Sequence, residues 1–323
     1  MKFPTLYRRF NPLGDSEFFN KLLVALAVLT AAYAAVWFAY LKRTWSVPSK
    51  AGDKEPNFAA HAGIGFFADF LDALGVGSFA TTSSIYKMLS VIPDDLIPGT
   101  MNVGYTLPSI AEAFIFITVI PVDFKTMIFL IVAAAAGAWF GAGMISGWPK
   151  RKIQIGLGSV LIGAALLMLS SKLKLVPVGG TALGLDGPKL WFAVVANFIF
   201  GAFQPLGLGL FAPCMIVVSL LGMNPLSAFP IMMGSCAFLS PVGAYRFIRS
   251  GRYSPKAAAG LTLGGVPAVI IAAYLVKSLP LGVVQWMVVF IVLYTATMLL
   301  RSAVAETQQD RSQTGSVQGE VQT

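Results

Sequence analysis

Nine apolar runs follow one another along this sequence, at roughly 22–41, 58–92, 96–121, 126–147, 153–171, 190–222, 226–248, 256–276 and 281–300. Most are about 20 residues long, the length at which a helix spans about 30 Å of hydrocarbon. Two runs, 58–92 and 190–222, are too long for one crossing. A continuous helix of about 34 residues would reach about 50 Å. Each of the two carries paired glycines near its middle, Gly75 and Gly77 in one, Gly207 and Gly209 in the other. Glycine relaxes a helix and lets another backbone or a ligand approach closely. Pro205 and Pro213 further disrupt the second ladder. Both runs therefore read as two half-helices joined by a glycine break.

The broken runs are also copies of one another. At an offset of 132 residues, Leu74, Gly75, Gly77, Phe79, Ala80, Leu89, Pro93, Pro98, Met101 and Leu107 recur as Leu206, Gly207, Gly209, Phe211, Ala212, Leu221, Pro225, Pro230, Met233 and Leu239. These are ten identities between 74 and 109, without a gap; typical residue frequencies would give about two or three. The expected fold is an all-α polytopic membrane protein of two homologous repeats, each with a glycine-broken helix, preceded by one extra transmembrane helix. The expected divisions are 1–57 (basic N-terminus, first helix and loop), 58–171 (first repeat), 172–189 (connecting loop), 190–300 (second repeat) and 301–323 (a disordered polar tail). The run at 22–41 reads as an uncleaved anchor and not as a signal peptide, because the region before it is long and no clear cleavage motif ends it.

Hydrophobic residues make up 56% of the 323-residue chain and charged residues 11%, with mean hydropathy +0.76. A soluble domain would be nearer a quarter charged. The formal charge of +9 comes from bases spread over many loops, singly and in short clusters. This pattern suits cytoplasmic anchoring of loops and excludes a nucleic-acid face. Cys214 and Cys236 have no CxxC spacing and read as packing residues. With a single histidine, His61, no structural metal and no cofactor are expected. His61 reads as an interfacial residue at a helix start. Topology stays open at this level. If each long run crosses once, the repeats are parallel. If each re-enters as a hairpin, they are inverted, and Lys150-Arg151-Lys152 shares a side with Arg246, Arg249, Arg252 and Lys256.

Broken helices at a repeat interface form midplane binding sites in many secondary transporters. Irregular backbone at membrane depth survives only where protein or a water-filled cavity covers it. The half-helix N-terminus after the first break offers unpaired N–H groups that suit an anion. The substrate-binding candidates are Gly75, Gly77, Ser78, Thr81 and Thr82 there, Asn102 and Thr106 on the next helix, and Gln204, Gly207, Gly209 and Ser235 in the second repeat. For the hydroxyls, helix packing is the competing reading. Three intramembrane acids, Asp69, Asp72 and Glu112, are the proton-coupling candidates, since buried carboxylates usually face a cavity or a partner. Lys87 is one conceivable partner. Gln204 stands where the first repeat has Asp72.

The stretches "GFFADFLDALGVGSF" with "IPGTMNVGYTLPS", and "FGAFQPLGLGLFAP" with "MNPLSAFPIMMGS", resemble the sulfite exporter TauE/SafE family, also called the 4-toluene sulfonate uptake permease family. The resemblance covers about 60–300. It implies a multi-pass permease of a bacterial inner membrane, moving sulfite, an organosulfonate or a related small sulfur-containing anion. The expected function is thus a secondary transporter with the proton as candidate coupling ion, the bilayer and the anion as partners, and homo-oligomerisation left open. A channel is the first alternative. An intramembrane enzyme or assembly factor is the second, although no HExxH or GxSxG is present.

Overall fold

The computed structural model describes residues 16–45, 57–90, 92–144, 180–203 and 211–280, together with parts of 155–170 and 282–304. The helices are α1 (Ser16–Thr44), α2 (Phe58–Ala73), α3 (Ser78–Leu89), α4 (Ile97–Val119), α5 (Phe124–Met144), α6 (Gly187–Phe203), α7 (Phe211–Leu220), α8 (Ala228–Ser250) and α9 (Pro255–Ser278). A further apolar helix covers Val289–Met298. Four described helices, Phe19–Thr44, Ile97–Val119, Pro225–Ser250 and Pro255–Val276, are long and apolar enough to cross a bilayer. Bulky side chains such as Trp139, Trp191 and Phe290 point outward, as lipid-facing residues must. The protein is an all-α polytopic membrane protein.

The run at 58–92 is divided where its glycines fall. At 16 and 12 residues, α2 and α3 are about 24 and 18 Å long, too short to cross about 30 Å. They form a hairpin. At its open end His61 Nδ1, in the first turn of α2, lies 2.8 Å from the Tyr86 hydroxyl near the end of α3. At its closed end Asp72 bonds Ser78. The chain therefore turns back on itself at the glycines, short of a full crossing. The helices α6 and α7 make a second hairpin, whose open end is held by Lys189 Nζ donating to Leu221 O at 3.2 Å and by bridging between Ala182 and Met223. Its turn, 204–210, lies outside the described residues, as do Lys150-Arg151-Lys152 and most of the C-terminal tail.

The long helices α4 and α8 pack at the centre and run in opposite directions. At one end Thr100 Oγ1, near the start of α4, accepts the Ser254 N–H just after α8. At the other, Ser227 Oγ, just before α8, donates to Pro121 O, just after α4. The helices α2, α3, α4 and α5 each have a counterpart, α6, α7, α8 and α9, beginning within three residues of the 132-residue offset. The counterparts are inverted relative to one another, and each long run re-enters as a hairpin. The question open at the level of sequence is thereby decided.

Packing crosses between the two sets. A Cβ on Gly264 of α9 would lie 1.8 Å from Ala62 O of α2, and one on Gly65 of α2 would lie 2.4 Å from Leu261 O of α9. The same close approach recurs between α5 and α6, where Gly137 faces Phe198 O and Gly201 faces Ala134 O. Small residues let helices approach to backbone contact, the main source of attraction when lipid replaces water. Each hairpin is thus clasped by a helix from the other half, α9 for the first and α5 for the second. The first helix, α1, leans on this bundle through Tyr33, whose hydroxyl donates to Val103 O at 2.9 Å.

Candidate functional site

The turn between α2 and α3 is built by glycine. Gly75 N–H donates to Asp72 O at 2.6 Å and Val76 N–H to Leu71 O at 2.9 Å. These paired bonds close a helix C-terminus and require a left-handed residue between them. Gly75 supplies it with φ 97°, and Gly77, with φ 91°, turns the chain into α3. The next orphan amide finds an internal partner. Asp72 Oδ1 accepts Ser78 N–H at 3.0 Å, and Asp72 Oδ2 accepts Ser78 Oγ–H at 2.9 Å. A carboxylate at a helix N-terminus satisfies a free N–H and complements the dipole. The place expected for a ligand anion is therefore held by the protein's own anion.

Asp69 lies one turn back on the same face and is 1% exposed. Its Oδ2 packs so tightly against α9 that a Cβ on Gly265 would lie 1.8 Å from it and 2.8 Å from Pro108 Cγ. Asp69 Oδ2 is buried without a hydrogen-bond partner among the described residues. Glu112, one turn after Pro108 on α4, is also 1% exposed, and both its carboxyl oxygens are buried and unpartnered. Glu112 lies within electrostatic range of both Asp69 and Asp72. Burying a charge costs several kcal/mol per ion unless it is balanced. No described ion pair involves these three acids, and Lys87 is exposed near the end of α3, at the other end of the hairpin. The cluster is therefore suited to taking up protons or a cation.

The other expected residues fall in distinct places. Thr81 Oγ1 donates to Gly77 O at 3.1 Å, back onto its own helix. Thr82 shares a hydrogen bond with the Tyr105 hydroxyl of α4. Asn102 Nδ2 donates to Pro98 O at 2.8 Å and Thr106 Oγ1 to Asn102 O at 2.7 Å. These two residues face α8 and α1, since Asn102 Oδ1 lies beside Gly243 and Thr106 is a partner of Tyr33. Ser235 Oγ donates to Ile231 O at 2.7 Å within α8. Gln204, Gly207 and Gly209 lie outside the described residues. The structure thus brings Asp69, Asp72, Ser78, Thr82 and Glu112 together, and sets Asn102 and Thr106 on a neighbouring face. Among the described residues no group of His, Cys, Asp and Glu is arranged to hold a metal ion.

Three residues join the site without having been singled out as site residues. Tyr105 is buried and within electrostatic range of Asp69, Asp72 and Tyr86. Tyr86 and His61 are wholly buried; His61 stands at the helix start as expected, but against protein and not at an interface. The seven-residue spacing of Tyr105 and Glu112 places them on one helix face and was a readable signal. Pro108 sits between them inside α4. A proline lacks the N–H that would bond the carbonyl four residues earlier. Here Thr262 Oγ1 of α9 donates to that carbonyl, Gly104 O, at 2.6 Å.

The fold and this buried acidic site define a multi-pass helical membrane protein. Compared with protein-family models, curated proteins and solved structures, the chain matches none.

Proposed function

We propose that the protein is a proton-coupled secondary carrier for a small anion, in a bacterial inner membrane. The observation that carries this reading is the pair of inverted re-entrant hairpins, one with the half-buried Asp72 at its tip and two buried carboxyls, Asp69 and Glu112, beside it. Inverted helix sets with interrupted helices are a carrier architecture, in which a midplane site is exposed alternately to either side. Sulfite or an organosulfonate is the substrate that the TauE/SafE resemblance implies.

The geometry suggests how coupling would work. Asp72 occupies the amide and hydroxyl of Ser78. A proton on Asp72 removes its negative charge and its claim on those donors. An oxyanion then takes the same donors, so one anion replaces another at constant local charge. The end of the bundle at 251–254 carries Arg249, Arg252 and Lys256, so the positive-inside rule places it in the cytoplasm.

The test is flux of radiolabelled sulfite, with a sulfonate as comparison, in proteoliposomes with and without a pH gradient. Saturable, gradient-dependent movement supports the reading; absence of movement of both removes the anion substrate. One observation favours a second reading. The α3 N-terminus is already capped and the three acids have no described basic partner, which suits a small cation as cargo. Flux of a small organic cation in the same vesicles, abolished by Glu112→Gln, would select it.

A further inference from the structure

A line of proton-exchanging groups runs from the open end of the first hairpin to the acids. It begins at His61, whose Nε2 is buried without a partner and whose Nδ1 meets Tyr86. Tyr86 is within electrostatic range of Tyr105, and Tyr105 is bonded to Thr82 and within range of Asp69 and Asp72. His61, Tyr86, Thr82 and Tyr105 are each no more than 1% exposed. Along α2, eight residues separate His61 from Asp69, a rise of about 12 Å. Other titratable groups facing the acids are Glu112 of α4 and Cys236 of α8. From α9 the line meets Leu261, Thr262 and Gly265, none of them titratable.

The inverted half lacks this line. At the 132-residue offset, His61, Tyr86, Tyr105, Asp69, Asp72 and Glu112 become Ala193, Val218, Ala237, Gly201, Gln204 and Ala244, and Thr82 becomes Cys214. The equivalent approach from the opposite face of the bundle carries the Cys214 thiol and the buried Asn197 amide in place of the imidazole and the two phenols.

We infer that Asp69, Asp72 and Glu112 exchange protons with one side of the membrane, the side of the 251–254 loop, through His61, Tyr86, Tyr105 and Thr82. This rests on the acid cluster being the coupling site of the proposed carrier. Imidazole and hydroxyl groups both accept and donate. A proton arriving on His61 Nε2 releases the Nδ1 proton to the Tyr86 oxygen. Tyr86 then passes its own hydroxyl proton onward, and the carboxylate gains one, so no group in the line changes its net charge. The ring returns by exchanging tautomers. Carriage to the far side then requires the hairpins to rearrange, which ties proton movement to the transport cycle.

The test is time-resolved infrared spectroscopy of the protonated-carboxyl band. The full-length protein is used in proteoliposomes of known sidedness, with pH stepped in one compartment and clamped in the other. Asp69→Asn, Asp72→Asn and Glu112→Gln assign the band. It should respond to a step on the 251–254 side alone, and Tyr86→Phe and His61→Ala should slow the response by about tenfold or more. Tyr86→Phe keeps the ring and removes one hydroxyl, and its thermal unfolding in detergent checks the fold. A band that follows the opposite compartment, follows both equally or follows neither overturns the inference, as does a wild-type rate in both variants. A one-sided response without sulfite flux would retain the route and remove the anion carrier. Flux with a two-sided response would do the reverse.

Discussion

Replacing Gly264 by alanine tests the clasp between α2 and α9. The new Cβ would lie 1.8 Å from Ala62 O, 2.7 Å from Ala62 C and 2.8 Å from Phe66 N. All three are backbone atoms, so no side-chain rotation relieves the clash. Restoring contact at 3.4 Å means parting the helices by about 1.6 Å. A gap of roughly 0.5–1 Å already forfeits a quarter to a half of a dispersion contact. Overpacking costs about 1–3 kcal/mol, and backbone on both sides puts this case at the upper end. Alanine returns about 1 kcal/mol of helix propensity, leaving a net loss of about 2 kcal/mol. Gly63→Ala is the control, because nothing lies within 4 Å of its Cβ; it should stabilise by up to about 1 kcal/mol. Equilibrium unfolding in mixed detergent should separate the pair by about 3 kcal/mol, roughly two orders of magnitude in the unfolding constant. Equal stabilities would refute the close approach and the clasp with it.

Gly265→Ala should displace Asp69 from between α9 and α4, reducing proton-driven flux at least tenfold with less effect on detergent unfolding than Gly264→Ala; proteoliposome flux reads the first and unfolding the second. Thr262→Val keeps the shape and leaves Gly104 O unpaired, at a cost of about 1–3 kcal/mol in the same unfolding assay. Gly75→Leu forces a side chain onto a backbone at φ 97°, costing about 1–2 kcal/mol; flux should vanish while membrane insertion is retained. Asp72→Asn keeps an oxygen for Ser78 N–H and removes the charge. Stability should fall by no more than about 1 kcal/mol, and the pH dependence of flux should flatten; an unaltered profile removes Asp72 from coupling.

The helix boundaries were legible because hydropathy and glycine placement are local. The break expected at Gly75 and Gly77 is where α2 gives way to α3, and the runs at 96–121 and 256–276 are α4 and α9 to within a few residues. The direction of the chain after each break was not legible. It depends on two backbone rotations at Gly75 and Gly77, and glycine permits either outcome. Among the site residues, the acids announced themselves by their cost in lipid. His61, Tyr86 and Tyr105 did not, because an amphipathic side chain reads equally well at an interface or in a core. Asp72 shows the reverse case: the expected binding donors at Ser78 were found, and their partner is a side chain six residues away. Charge alone could not say which anion would reach them.

The crossed clasp also sets an order for biogenesis. α5 and α6 lie within 80 residues of one another along the chain, whereas α2 waits for α9, almost 200 residues further on. At about 5–20 residues per second of synthesis, that wait is roughly 10–40 s. During it the acid-bearing hairpin, too short to span, has not met the helix whose glycines receive it. The insertion machinery must shelter it for that interval. A ribosome stalled before residue 255 would therefore hold a chain whose second hairpin is already clasped and whose first, carrying the acids, is still open to protease.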